Sequence, residues 1–336
     1  MTAVSFTVNN AVRIPGIHPG CPRACRAGRP STVPGAAVYG EQGGSMALPQ
    51  GTTGSTMPRR QLGRQLRDLR NRAGMTTRVA AQQLEWSEAK IWRIETGQTS
   101  LRGLDVEAMC KVYGAPLDLL EPLRALARDT KAKGWWTAYG DVIPEGFDVY
   151  IGLEEAATRV STYENELVPG LLQTEGYTRA VCTAAHPELS QDEIDRRVRL
   201  RQARQALITR ADAPLRLEAL IDEAVLRRRI GDPAVTAEQL DHLLHVAQLP
   251  NVRIRLVPAD CGYHDGMASG RFVLLEFAEP GSGERPEPPV VYLEMFTGPV
   301  YLDKKQEIAR FRAAFASIES VAVDARERIE DARKAL

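Results

Sequence analysis

The chain has 336 residues and a mass of 37.0 kDa, more than one hydrophobic core usually serves, so two or three domains are expected. Apolar residues make up 43% and charged residues 26%, and no apolar run reaches the roughly 18 residues of a membrane span, which excludes a helical membrane protein. The formal net charge of zero is unevenly spread: +3 over residues 1–56, +6 over 57–133 and −9 over 134–336, so the basic and acidic parts are expected to meet different partners.

Five cysteines, Cys21, Cys25, Cys110, Cys182 and Cys261, are odd in number and scattered. They make no disulfide framework, and with no basic-then-apolar leader a cytoplasmic location is expected. Residues 1–56 hold nine Gly and six Pro without helical or strand periodicity, the composition of a disordered tail. Cys21, Cys25 and His18 lie close together there, but a zinc site needs a fourth ligand and none is near, so no metal is assigned. Met46 and Met57 both stand as alternative translation starts.

Residues 57–133 read as a domain of five short helices. Leu62, Leu66 and Leu69 mark the first, which ends at Ala73-Gly74. Thr76 caps a second helix that runs through Leu84, and Ser87 caps a third with Ile91 and Ile94 inward and Gly97 as its stop. A fourth runs from about 104 to 112 before Gly114, and a fifth follows Pro116.

Beyond residue 133 helices and strands mix. Helices are expected at 153–164, 174–183, 190–209, 236–249 and 304–318, and strands at 215–221, 252–257, 271–277 and 290–296, where β-branched and aromatic residues gather. That order implies an α+β domain over 134–325 rather than regular βαβ alternation, with 280–289 as a hairpin loop and 326–336 as a helical end. The whole is a multidomain fold, an all-α domain followed by an α+β domain, behind a disordered tail.

The second and third helices have the make-up of a helix-turn-helix. Ala80 and Ala81 allow close approach, Leu84, Ile91 and Ile94 supply a shared core, and Glu88, Ala89, Lys90 and Arg93 then point outward. Arg93 or Lys90 suits a guanine edge, Glu88 a cytosine amino group and Ala89 a thymine methyl. Thr76 and Thr77 at the start of the second helix, Ser87 at the start of the third, and the loop with Gln98 and Thr99 are placed for phosphate contacts. Trp92 faces outward and suits packing or a sugar-phosphate contact.

Leu66-x-x-Leu69-Arg70, Ala81-x-x-Leu84, Ser87-x-x-x-Ile91 and Ile94-Glu95-x-Gly97 resemble the Xre/lambda-repressor-like helix-turn-helix family. The resemblance implies a structural ion pair between Arg70 and Glu95, and it departs at the turn, where the family usually has Gly and this chain has Glu85. Further on, Gly134-Trp135-Trp136, the 167–174 stretch, Arg199-Leu200-Arg201-x-x-Arg204-Gln205, Asp222-Glu223-Ala224, Leu274-Leu275-Glu276-Phe277 and Val291-Tyr292-Leu293-Glu294 follow in order. These resemble the C-terminal domain of unknown function in actinobacterial regulators of the WhiJ-like, antitoxin-like type. That resemblance implies a transcription regulator paired with a small protein encoded by a neighbouring gene.

An enzyme finds little support. His242-x-x-His245 and Cys261-x-x-His264 bring four ligand types together, but i, i+3 is not the commoner i, i+4 of helical zinc pairs, and His264 between Gly262 and Gly266 fits a turn whose ring caps backbone groups. Neither Cys182 nor Cys261 has a nucleophile motif around it, and there is no phosphate-binding G-x-x-x-x-G-K-[ST] run. Trp135, Trp136 and Tyr139 are expected to pack as core. For 167–174 a ligand or partner groove and a plain interhelical loop both stay open. The expected protein is therefore a non-enzymatic regulator that needs no cofactor and binds double-stranded DNA as a homodimer. A small-molecule sensor and an antitoxin-like interaction module remain as alternatives.

Overall fold

The computed structural model describes residues 56–278 and 287–336. The expected tail, with Cys21, Cys25 and His18, and most of the 280–289 loop lie outside the described residues.

The helical domain has five helices, α1 (Thr56–Arg72), α2 (Thr77–Leu84), α3 (Glu88–Glu95), α4 (Gly103–Val112) and α5 (Leu117–Asp129). Leu62, Leu66, Ala80, Ala81, Ile91, Ile94, Val106, Met109 and Leu123 form its core. One-turn spacing puts the α1 leucines on a single stripe, and α2 and α3 are too short to stand without that packing. α1 crosses α3 at close range: a Cβ on Gly63 would lie inside contact distance of the Ile94 carbonyl oxygen.

After a 3₁₀ turn at Trp135–Tyr139 the second domain runs α6 (Phe147–Ala156), β1 (Ala157–Glu164), a 3₁₀ turn at Gly170–Leu172, α7 (Glu175–Ala185), α8 (Gln191–Thr209), β2 (Arg216–Asp222), α9 (Ala224–Arg227), α10 (Pro233–Val246), β3 (Val252–Val257), α11 (Gly266–Ser269), β4 (Phe272–Phe277), β5 (Val290–Met295), β6 (Gly298–Leu302), α12 (Lys305–Val321), β7 (Val323–Asp324) and α13 (Arg326–Lys334). The strands form one mixed sheet in the order β6-β5-β4-β1-β2-β3-β7. β1, β2 and β3 are parallel neighbours, while β1–β4, β4–β5, β5–β6 and β3–β7 are antiparallel.

Alternation along the strands divides two cores. Val160, Leu217, Ala219, Ile221, Ile254 and Leu275 face one side with α6, α7, α10 and α13. Tyr163, Leu220, Phe272, Leu274 and Val291 face the other, under Ile308, Phe315 and Ile318 of α12.

The helical domain followed by a domain of helices and strands is as expected, with differences at β1, at the parallel strands, and at β6 and β7, which were not expected. Residues 157–164 are not the second half of a helix but β1, the strand at the centre of the sheet. No Gly or Pro separates α6 from β1, yet Thr158, Val160 and Thr162 are β-branched at every second position, which suits a buried strand better than a helix. With β1 in place, β1–β2–β3 joined through helices makes two of the six strand pairings parallel, so crossover alternation is present there. α13 packs on the main core: Ala325, just before it, and Ile329 are buried there beside α10.

The two domains are tied through α1. Arg60, almost fully buried, reaches Glu287 at 3.1 Å and Asp303 at 3.4 Å, Arg67 lies 3.7 Å from Asp303, and Arg64 also pairs with Glu287. These arginines repeat at i, i+4 and i+7, one face of the helix, so part of the basic excess of 57–133 is neutralised inside the molecule.

A candidate nucleic-acid interface on the third helix

α2 and α3 are each opened by a side chain. Thr76 Oγ1 accepts the Val79 N–H at 3.2 Å and Ser87 Oγ accepts the Lys90 N–H at 3.1 Å, the N-cap bonds that satisfy otherwise orphaned amides. The turn between them is closed by the Trp86 N–H to the Ala81 carbonyl at 2.9 Å and the Glu85 N–H to Gln82 at 3.3 Å. This is the paired 6→1 and 5→2 pattern that also ends α1 at Gly74 and α3 at Gly97. It requires a left-handed residue, and Glu85 takes it with φ 56° and ψ 36°. A side chain in that region is strained relative to glycine.

Arg70 and Glu95 hold α1 against the end of α3. Arg70 Nε and Nη2 donate to the two Glu95 carboxylate oxygens at 2.6 and 2.7 Å, and Nη1 donates to the Met75 carbonyl at 2.7 Å. Both side chains are buried. The hydrogen bonds from Arg70 to Glu95 raise the guanidinium above its ordinary range, and burial first, then the Glu95 charge, pushes the nearby Tyr113 hydroxyl up.

With Ile91 and Ile94 buried, Glu88, Ala89, Trp92 and Arg93 lie exposed on the outer face of α3. Arg93 forms no ion pair among the described residues. Lys90 is differently placed: its ammonium sits 3.3 Å over the Trp86 ring and 3.6 Å from Asp105, held against the domain's own surface. Thr76 is exposed and Thr77 half-buried, and the first-turn amides of α2 beyond the cap have no intrahelical acceptor. Gln98 and Thr99 are half-buried, and the Gln98 N–H is spent on the Arg93 carbonyl at 2.8 Å, so Gln98 has only its side chain to offer. Arg78, exposed in the first turn of α2, adds a cation that the sequence reading did not single out, although a basic residue two places after a cap was visible there.

The remaining candidates disperse. His264 is buried, and its Nδ1 accepts the Gly266 N–H at 3.1 Å beside the edge of Tyr163. No group of three His, Cys, Asp or Glu side chains that could hold a metal is formed among the described residues. Trp136 packs with Ile151 and Leu200, and Trp135 Nε1 donates to Glu155 at 3.0 Å. A buried pair missed by sequence reasoning joins Arg204 of α8 to Glu154 of α6 at 2.7 and 2.8 Å, with the Tyr150 hydroxyl donating to Glu154 at 2.9 Å. No described helix is long and apolar enough to cross a membrane.

A family model described as a helix-turn-helix domain matches residues 61–123, and one described as a domain of unknown function (DUF5753) matches residues 147–330, more than half of the chain. Nothing among curated proteins or solved structures matches it.

Two substitutions at these helix junctions have opposite expected signs. Glu95→Ala leaves Arg70 buried without its partner and is expected to lower stability by about 3–5 kcal/mol. Glu85→Gly removes backbone strain and is expected to raise it by about 1 kcal/mol. Denaturant unfolding of the two variants beside the parent chain measures both, and equal stability of all three would refute this description of the junctions.

Proposed function

The chain belongs to the family of proteins built on this domain of unknown function (DUF5753), here behind a helix-turn-helix domain, and from that premise we propose that it is a sequence-specific transcription regulator acting in the cytoplasm. The observation that carries the reading is α3 itself: a short helix fixed on one side by Ile91, Ile94 and the Glu95–Arg70 pair, with Glu88, Ala89 and Arg93 free on the other.

In this reading α3 lies in the major groove. Arg93 bonds a guanine O6 and N7, Glu88 accepts from a cytosine amino group and Ala89 meets a thymine methyl. Lys90, held over Trp86, serves the phosphates rather than a base edge. Thr76, Thr77, Ser87, Gln98 and Thr99 contact phosphates around it and fix register without reading sequence. A homodimer places two such helices about one turn of DNA apart and favours an inverted repeat.

The acidic second domain is the proposed seat of control by a small protein partner. Its −9 charge suits a basic one, and β6, the edge strand of the sheet beside the exposed Met295 and Phe296, is where an added strand would pair. Regulation rather than catalysis is its task.

The test is Arg93→Ala measured against every single-base variant of a site selected from random duplexes. Binding is expected to weaken by about 1–3 kcal/mol and to lose its preference at one base pair in each half-site. Uniform weakening across all variants would make Arg93 a phosphate contact, and a complex with one chain per site by sedimentation would refute the homodimer.

A further inference from the structure

The 167–174 turn and the arginines of α8 meet in a recess that the DNA-binding reading leaves unused. Its volume is about 280 Å³, at the small end of ligand pockets. Its walls combine apolar side chains, Phe147, Leu167, Val168 and Leu200, with the guanidiniums of Arg197, Arg201, Arg204 and Arg271.

Arg197, Arg201 and Arg204 stand at i, i+4 and i+7 on one face of α8. Arg204 is matched by Glu154. Arg201 forms no hydrogen bond or ion pair among the described residues, and the Nε of Arg197 is buried without a hydrogen-bond partner. The Arg201 guanidinium lies against Gly170, where a Cβ would stand 2.6 Å from its Nη1, so only glycine permits the approach.

The opposing turn is held rigidly. Gln173 Nε2 donates to the Val168 carbonyl at 2.7 Å, Gln239 Nε2 donates to Leu172 at 2.7 Å, and the Thr174 N–H donates to Gln239 Oε1 at 2.8 Å. A recess preformed in this way binds without first ordering its own walls.

The charges do not balance. Arg271 meets Glu166 and Glu294 only at 3.5 and 3.7 Å. The last carboxylate lining the recess, Glu164, is pushed up to about 7, first by burial and then by the Glu294 and Glu166 charges, against the opposing pull of Arg271 and the hydrogen bond from Thr162. Positive charge is therefore in excess, and guanidinium without a partner in a half-dry recess is what carboxylate and phosphate oxygens satisfy with paired hydrogen bonds.

We propose that this recess is a binding site for a small organic anion, a carboxylate or phosphate monoester carried on a compact apolar body, held by Arg201 and Arg197 against the Gly170 turn. The volume excludes a polymer, and the apolar wall sets the site apart from one for a bare inorganic ion.

Calorimetric titration of the full chain with benzoate, phenyl phosphate and the neutral isostere benzamide tests it at constant chloride. One or both anions are expected to bind in the millimolar range, the tighter one identifying the head group, with benzamide at least about tenfold weaker. Arg201→Gln, at a side chain with no hydrogen bond or ion pair among the described residues, is expected to keep the parent's thermal unfolding and to weaken the anion about tenfold or more. Gly170→Ala, which displaces the guanidinium, should do the same. Benzoate affinity should fall as pH rises through about 7, where Glu164 gains its charge. Benzamide binding as well as the anions, unchanged affinity in Arg201→Gln, or no binding by either anion would overturn the proposal.

Discussion

The buried bond between Arg70 and Glu95 sets the position of everything the helical domain presents outward. Two charges removed from water gain little net stability from each other, but they tolerate only one geometry, and that geometry locks α3 to α1. Gly63 brings the two backbones together at the same crossing, so α3 is referenced to α1 twice within one turn. α1 in turn carries Arg60, Arg64 and Arg67 on another face, paired with Glu287 and Asp303 of the second domain. One helix thereby connects α3 to the sheet domain, through these ion pairs and through packing on α6, where Thr56 lies against Gly152 and Met57 against the main core.

This arrangement alters what the charge distribution means. A +6 excess over 57–133 invites the reading of a uniformly basic face, yet three of its arginines are turned inward against carboxylates, and Lys90 is folded over Trp86. The cations left outward are Arg72, Arg78, Arg93, Arg102, Lys111, Arg128, Lys131 and Lys133, and of these Arg78 and Arg93 stand on α2 and α3.

How much was legible in the chain depended on how local the signal was. Thr76, Ser87, Gly74, Gly97 and Gly114 are caps and stops whose physics lies within a few residues, and each of the first four helices has a boundary among them. Even the departure at Glu85 was visible, because a left-handed turn position is demanded by the pattern around it. In the second domain β2, β3, β4 and β5 are legible, the short β6 and β7 are not, and β1 reads as helix because strong helix formers at 153–157 run straight into it without punctuation. β1 becomes a strand because β2 and β4 pair with it from either side, partners 57 and 111 residues away at Arg159–Arg216 and Thr162–Val273. The Arg204–Glu154 pair and the meeting of Gly170 with Arg201 are of the same sort: the motifs could be quoted from the sequence, but nothing local says that they touch.

The central claim is that α3, so held, reads DNA sequence. It is tested most directly by titrating the purified chain against the duplex upstream of its own gene and against a scrambled duplex of equal length, from 50 to 200 mM salt. The account predicts tighter binding to the natural duplex throughout, with affinity for it falling at least about a hundredfold over that range as phosphate contacts are screened. Equal affinity for the two duplexes at every salt concentration would contradict it.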